Sequence, residues 1–397
     1  MKRLILLLSV FCFSASYSQN AVFEEVNKLI KDRKYESAMK VLDQADPGNL
    51  NPRLVIAKTD LFLNYFVTNR MHQVFGLKDL ETGEDLTTLR NSKRNFTMFP
   101  FAPDSLLNGL ITDYPHNYEL IKTLGKYYYE VHLKFPRGWL DPDSVLIQRF
   151  IENFEIAYKH KVFDYLSLYC LGYGYLLKTD YMKSITFFKK SIKLKDDYAP
   201  GYYNLAYALL SSNHRKDAII NAQKAFNLYN YAPYKADAAK MIALNYLELA
   251  QDDLALEYYL LADSIYPGNY VTLKHLIGLE MKMGMDDYKI RTRQFFLLEP
   301  ASPRIYQDLM QMYWENNKED ELIRFLEEQK PTYKKDKRVL ANVYLYIANI
   351  QYDKKDFRHA KVNFEESRDL FKEVYRPDHK VFEVIDTYLD KIGSDQQ

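Results

Sequence analysis

The feature that most constrains this chain is an internal repeat in which small and large residues recur at fixed distances. Gly172 is followed twelve residues later by Ser184, then four later by Phe188, then three later by Ser191. The same offsets recur in three further segments: Ala206, Ala218, Ala222 and Ala225; Ala243, Ala255, Tyr259 and Ala262; and Ala348, Ala360, Phe364 and Ser367. A weaker copy comprises Met310, Leu322, Leu326 and Gln329. Such a period predicts a repeat array and not one central core.

Each repeat is predicted to be a pair of antiparallel helices. Small residues on two facing helices let the backbones approach closely, and a larger residue between them fills the remaining space. Polar segments such as 178–181 separate the two helices of a pair. The chain has 13 Gly and 14 Pro among 397 residues. This composition suits long helices and leaves little material for tight-turned β structure.

The repeat also resembles a known family. Gly172 and Ala206 lie 34 residues apart, and residues 165–269 carry the Leu-Gly, Tyr, Ala, Phe, Ala, Pro pattern of the tetratricopeptide repeat. The resemblance implies an all-α fold, a right-handed α-solenoid of tetratricopeptide-type helical hairpins with a C-terminal capping helix. It is weaker between Tyr270 and Ser302, where the spacing slips.

The pattern divides the chain into four parts. Residues 1–18 are typical of a signal peptide, and residues 19–115 are predicted to form N-terminal helical hairpins with a long loop at about 76–103. In this part a helix is predicted from about Pro52, capped by Asn51, to about Phe75. Residues 116–374 are the predicted repeat array, with an insertion at about 133–144 whose prolines and glycine would break a helix. Residues 375–397 are the predicted capping helix and tail.

The amino terminus predicts export. Basic residues at positions 2 and 3 precede an apolar run from Leu4 to Phe13, and small and polar residues follow up to a predicted cleavage site near Ser18. The apolar run is shorter than the ~20 residues that span a bilayer as a helix, and no later run is long enough. We therefore expect no transmembrane segment. We expect the mature protein in the bacterial periplasm or associated with the outer envelope.

Composition and motifs argue against several classes of function. The chain carries 54 Lys and Arg against 53 Asp and Glu, so no field of one sign is present to hold nucleic acid. The phosphate-binding, zinc-protease, paired-cysteine and esterase motifs are absent, and the eight His are scattered. Ser37 and Lys40 match the SxxK spacing of penicillin-binding enzymes, but they fall in a predicted helix without companion motifs. We expect no enzyme activity, no metal and no cofactor.

The resemblance further implies a binding surface, because in the family the first helix of each hairpin lines a concave groove. Helical spacing then assigns to this groove a set of aromatic, basic and amide side chains: Tyr129, Tyr169, Tyr173, Tyr203, Tyr207, Trp314, Lys122, Lys126 and Gln311. Within the set, two pairs of tyrosines are four residues apart, so the members of each pair share a helix face. These rings either fill contacts between helices or carry partner affinity, because tyrosine suits both roles.

These expectations favour a non-catalytic protein–protein interaction scaffold of the bacterial cell envelope, which binds a peptide or a folded partner in an aromatic-lined groove. The alternative is a glycan-binding helical-repeat protein of an outer-membrane uptake system, because aromatic faces also stack on sugar rings. The sequence leaves both open.

Overall fold

The structure is a computed structural model, and it describes residues 20–90, 92 and 94–394. The predicted signal peptide and its cleavage site near Ser18 lie outside the described residues. The chain divides into two units, with the division between Asn213 and His214.

The first unit contains helices and one small sheet. In chain order its elements are α1 (20–31), α2 (Tyr35–Ala45), α3 (Pro52–Tyr65), β1 (Thr68–Arg70), β2 (Val74–Leu77), α4 (Leu86–Arg90), β3 (Thr97–Pro100), α5 (Pro103–Asp113), α6 (Tyr118–Lys134), α7 (Asp143–Lys159), α8 (Tyr165–Leu177), α9 (Tyr181–Leu194) and α10 (Ala199–Ser211).

The described part of the second unit is helical. Its elements are α11 (Arg215–Leu228), α12 (Ala232–Glu248), α13 (Asp252–Ile265), α14 (Tyr270–Lys282), α15 (Tyr288–Leu298), α16 (Pro303–Glu315), α17 (Glu319–Gln329), α18 (Lys337–Asp353), α19 (Phe357–Lys372) and α20 (Lys380–Ser394). Consecutive helices pack as hairpins in both units, for example α8 with α9 and α18 with α19. The prediction of an all-α solenoid of helical hairpins is confirmed, with the small sheet as an addition.

Burial confirms the repeat offsets. The Phe188 side chain is fully buried between α8 and α9, and a Cβ atom added to Gly172 would lie 2.6 Å from its ring. The Ser184 hydroxyl donates a hydrogen bond of 2.8 Å to the Gly172 carbonyl. The small residues at equivalent offsets are also fully buried: Ala206, Ala218, Ala222, Ala225, Ala243, Ala255, Ala262, Ala348, Ala360 and Ser367. Small residues therefore mark the points where helices approach closely.

The turns inside the hairpins share one backbone feature. In six of them, a residue in the left-handed region of φ lies where the chain reverses direction: Arg33, Thr179, Ala250, Gly284, Asn317 and Lys355. In the turn after α8, the Asp180 N–H donates to the Tyr175 carbonyl at 2.9 Å, the bond that closes a helix end of this type. Only one of these six positions is glycine, so composition does not reveal the turns.

The segment after α3 departs from the sequence expectation. The helix begins at Pro52 with the Asn51 side chain accepting a bond from the Arg53 N–H at 3.0 Å, but it ends at Tyr65 and not near Phe75. The expected loop at 76–103 is wrong in part, because β1, β2 and β3 form an antiparallel sheet in that order and α4 lies between β2 and β3.

The sheet forms because its aromatic residues pack against α3. The Phe62 ring lies 5.0 Å from the Phe75 ring of β2 and 5.1 Å from the Phe101 ring that follows β3. All three side chains are buried. A short sheet gains its stability from such a contact with a helix, and a sequence read segment by segment does not show it.

The connection between α6 and α7 spans residues 135–142, inside the predicted insertion, and it packs on this sheet. The Trp139 ring stacks on Phe135 at 4.1 Å and meets the Phe75 ring edge-on at 6.3 Å. Its indole N–H donates to the Asn69 side chain at 3.2 Å. Two segments that look like separate loops in the sequence therefore support each other.

The second unit ends with α20, which covers the last hairpin. Ile385 and Ile392 are fully buried, and the Tyr388 ring stacks on Phe364 of α19 at 5.0 Å. The amphipathic pattern of α20 lets one face close the apolar surface that a further repeat would otherwise cover.

Candidate functional site

The first helices of successive hairpins lie next to one another. In the first unit α3 contacts α6, α6 contacts α8, and α8 contacts α10; in the second unit α14 contacts α16 and α16 contacts α18. We call the surface formed by α3, α6, α8 and α10 the inner face of the first unit. It carries the predicted groove residues at positions 122, 126, 129, 169, 173, 203 and 207.

Tyr129 and Tyr169 lie within the wall of this face and not on its surface. Their exposed fractions are 5% and 7%. The Tyr129 ring meets Tyr173 edge-on at 5.8 Å, and the Tyr169 ring stacks beside Tyr173 at 6.4 Å. The Asn204 side-chain amide donates to the Tyr169 hydroxyl at 2.7 Å. The expectation that these two rings face a partner is therefore wrong, because neighbouring helices cover both.

Tyr173, Tyr203 and Tyr207 retain accessible surface. Tyr173 and Tyr203 are half-buried, on α8 and α10, and Tyr207 is 45% exposed one turn beyond Tyr203. The Tyr173 ring is held between Tyr129 and Tyr169, so its orientation is defined by packing. Partial burial raises the pKa of its phenol, which keeps it a neutral hydrogen-bond donor at physiological pH. These three rings are the aromatic part of the candidate site.

The two predicted lysines lie at a separate cavity of 130 Å³ on the same face, bordered by α3, α6 and the start of α8. Lys126 forms an ion pair with Asp60 of α3 at 2.8 Å. Lys122 pairs with Glu119 at 2.8 Å and with Asp164 at 3.3 Å. Sequence reasoning missed these carboxylates. Asp164 carries a signal that could have found it, since it caps α8, but Asp60 is 66 residues from Lys126.

The ionisation of the Lys122 and Asp164 pair follows from their contacts. Burial lowers the pKa of Lys122, but its hydrogen bond to Glu119 and the charge of Asp164 outweigh this and raise it. Burial raises the pKa of Asp164, but hydrogen bonds from the Ser167 backbone and the charge of Lys122 lower it. Both groups stay charged at neutral pH, and each neutralises the other. The lysines are therefore engaged within the chain and are not free cations.

Trp314 and Gln311 belong to the second unit. They lie one turn apart on α16, and Trp314 is 48% exposed. The Gln311 amide donates to the Glu315 side chain at 2.9 Å. They form an exposed aromatic and amide pair of their own.

The SxxK residues and Cys170 are engaged or buried within the chain. Ser37 donates its hydroxyl proton to Asp79 at 2.5 Å, while Lys40 pairs with Glu36 at 2.6 Å, so the SxxK residues are engaged with other partners. Cys170 is buried, and burial raises the pKa of its thiol. Residues 20–90, 92 and 94–394 contain no group of three or more His, Cys, Asp or Glu side chains placed to hold a metal ion. In the same residues we find no helix long and apolar enough to cross a bilayer.

No protein-family model and no curated protein matches the sequence. Solved structures do match it in part. MamA from Desulfovibrio magneticus is 21% identical with a TM-score of 0.35, over 43% of this chain and 90% of that one. PilF from Pseudomonas aeruginosa is 13% identical with a TM-score of 0.44, over 64% of this chain and 95% of that one. YrrB, described as a TPR protein with an unusual peptide-binding site, is 14% identical with a TM-score of 0.34, over 61% of this chain and 99% of that one. Solved structures similar to this chain thus include tetratricopeptide-repeat proteins.

Proposed function

We propose that this chain is a non-catalytic protein-interaction scaffold of the bacterial cell envelope. It binds an extended peptide or a folded partner on the inner face of the first unit. The signal-peptide pattern of residues 1–18 supports export, and the arrangement of Tyr173, Tyr203 and Tyr207 supports binding.

The observation that carries the proposal is the accessible surface of Tyr173, Tyr203 and Tyr207, with Tyr173 packed against two buried tyrosines. Tyr203 and Tyr207 share one face of α10, next to the α8 helix that carries Tyr173. Tyr129 and Tyr169 pack beneath Tyr173 at ring distances of 5.8 and 6.4 Å. A ring already held by its neighbours loses little conformational entropy on binding, and tyrosines dominate the affinity of many interfaces. The Trp314 and Gln311 pair is a second, independent contact surface in this proposal.

The test compares two double variants of the mature protein. Tyr173→Ala with Tyr207→Ala removes accessible rings of the inner face, whereas Tyr231→Ala with Tyr234→Ala removes two exposed rings of the second unit. Both control rings are more exposed than Tyr207, at 63% and 55%. We expect the first variant to weaken capture of partners from envelope extracts by at least tenfold, since truncation of a dominant interface residue costs ~2 kcal/mol or more. The control variant should capture partners as the wild type does.

Melting temperatures of both variants establish whether they fold. Equal capture by the two variants contradicts the assignment of the site to Tyr173 and Tyr207. Retention on immobilised glycans that depends on the same two tyrosines, without a protein partner, would favour the alternative of glycan binding. Fractionation of cells that express the full chain tests export: recovery in the cytoplasm at full length contradicts an envelope role.

A further inference from the structure

A second cavity of the first unit lies between α5 and α7, away from Tyr173, Tyr203 and Tyr207 on α8 and α10. It measures 390 Å³ and opens between α5 and α7 over α6. Its polar lining is Asp104, Asn108, Tyr128, Arg149 and Asn153, and its apolar lining is Ile111, Ile121, Leu124 and Ile156. Cavities of ~300–1,000 Å³ with an apolar wall and a few polar groups are the usual form of small-molecule sites.

Comparison with the next repeat shows why this cavity exists. Tyr128 of α6 and Tyr175 of α8 occupy equivalent positions, each three residues after the glycine of a Leu-Gly pair. Each donates its hydroxyl proton to a carboxylate on the preceding helix, Asp104 of α5 for Tyr128 and Glu155 of α7 for Tyr175. The same tyrosine–carboxylate hydrogen bond is therefore present in both spaces between successive repeats.

The two spaces differ in the side chains that surround this hydrogen bond. Between α7 and α9, the Phe187 ring stacks on the Tyr175 ring at 5.7 Å and meets the Tyr158 ring at 5.4 Å. These aromatic rings fill the space between the two helices. Phe187 immediately precedes the repeat phenylalanine Phe188; the residue in the equivalent position before Phe154 is Asn153. Where the filled space has an aromatic ring, the open cavity has a short amide.

The aliphatic lining is a second difference. The open cavity is lined by the side chains of Ile111 and Ile156, whereas in the filled space the Tyr158 ring meets Phe187 at 5.4 Å. The open cavity therefore has amide and aliphatic groups at its wall where the filled space has aromatic rings.

The polar groups of the cavity offer both donors and acceptors. Asp104 uses Oδ1 for Tyr128, which leaves its second oxygen as an acceptor. Asn153 and Asn108 donate their amide protons to the carbonyls of Arg149 and Asp104, both at 2.8 Å, which leaves their side-chain oxygens as acceptors. Arg149 pairs with Asp141 through one nitrogen at 2.7 Å and covers the Tyr128 ring at 5.2 Å, with other N–H groups remaining as donors.

The charges at the cavity do not favour an anion. Asp104 is negative, and the positive charge of Arg149 is paired with Asp141. Burial with the Asp104 hydrogen bond raises the pKa of Tyr128 to about 12, so that this hydroxyl is neutral. An anionic ligand would therefore meet no uncompensated positive charge. A ligand with many hydroxyl groups, which both donate and accept, would satisfy the lining best.

We infer that this cavity binds one pyranose unit of a neutral carbohydrate. The hydroxyl groups pair with Asp104, Asn108, Asn153 and Arg149, and the C–H face of the ring packs on Ile111 and Ile156. This inference does not depend on the proposed protein-binding role of the inner face, because the two sites share no residue.

Saturation-transfer-difference NMR on the mature protein tests it. The probes are methyl α-D-glucopyranoside, methyl α-D-mannopyranoside and methyl β-D-galactopyranoside, with methyl β-D-glucuronide as the charged comparison. We expect at least one neutral glycoside to bind with a dissociation constant on the order of 1 mM, as the small size of the ligand allows. The glucuronide should bind more weakly.

The variants are chosen by comparing equivalent positions in successive repeats. Asn153→Phe restores the ring found at the equivalent position of the next repeat, and should weaken binding at least tenfold while the protein stays folded. Asn153→Ala should weaken binding about fivefold, the loss expected for one hydrogen bond. Asn221→Ala is the matched control, since Asn221 on α11 makes the same local bond at 2.8 Å, to the Asp217 carbonyl.

The control variant should bind as the wild type does. Failure of all three neutral glycosides to bind, tighter binding of the glucuronide, or unchanged binding by Asn153→Phe overturns the inference. Should Asn153→Phe fail to fold, the dissociation constants of Asn153→Ala and Asn221→Ala for the glycoside are compared. Equal dissociation constants overturn the inference. None of these results bears on the test of Tyr173 and Tyr207.

Discussion

Replacement of Gly172 by alanine tests the close approach of α8 and α9. The added Cβ would lie 2.6, 2.7 and 2.9 Å from three ring atoms of Phe188, distances that a packed core does not tolerate. Phe188 is fully buried, so its ring has no free space to enter. Overpacking of this kind costs about 1–3 kcal/mol, and the better helix propensity of alanine offsets about 0.5–1 kcal/mol. We expect a net loss of about 1–2 kcal/mol in the free energy of unfolding.

Urea denaturation followed by circular dichroism measures this loss, with Gly109→Ala as the matched control. Gly109 also lies inside a helix, α5, but a Cβ added there meets no atom within 4 Å. The control should therefore gain about 0.5–1 kcal/mol. A further change, Phe188→Leu in the Gly172→Ala background, should recover part of the loss because the two positions are coupled. If Gly172→Ala raises the midpoint as Gly109→Ala does, α8 and α9 are not in the close contact described.

Three further changes probe other parts of the fold. Lys58→Ala should cost about 2–4 kcal/mol in urea denaturation, because the fully buried Lys58 pairs with Asp43 at 2.7 Å; an unchanged midpoint contradicts this. Ala218→Trp should lower the midpoint by about 1–3 kcal/mol or more, because this fully buried position has no room for the ring; a stable variant would show that the repeat register is wrong. Burial raises the pKa of Asp308, but its hydrogen bonds from Lys274 and Tyr270 outweigh this and lower it. Asp308→Asn should therefore cost up to about 1 kcal/mol at pH 7, and the difference from wild type should shrink as the pH falls below ~3.9; a difference that grows in acid refutes the ion pair.

Local periodicity was sufficient to predict the hairpins. The spacing of Gly172, Ser184 and Phe188 places small and large side chains on two facing helices, and this pattern lies within one segment of about 34 residues. The cap at Asn51 was predictable for the same reason, because a capping side chain bonds to backbone groups two or three residues away.

Exposure of the aromatic groove was only partly predictable. Helical spacing correctly placed the predicted tyrosines on first helices, but it does not state what covers each ring. Tyr129 and Tyr173 both lie on first helices, but packing of α8 against α6 and α7 buries Tyr129 while Tyr173 keeps accessible surface. Whether a helix face is a surface or an interface depends on the next helix in the array.

The sequence by itself determined the secondary structure of the repeats, because the forces that select a helix and its partner act over a few turns. The tertiary structure alone decided three features that join distant residues: the pairing of β3 with β2, the ion pair of Lys126 with Asp60, and the cavity between α5 and α7. Each requires segments 20 or more residues apart to meet in space. Such contacts are set by the packing of whole helices against each other. The hydrophobic effect depends on the apolar area removed from water and not on the separation of residues along the chain.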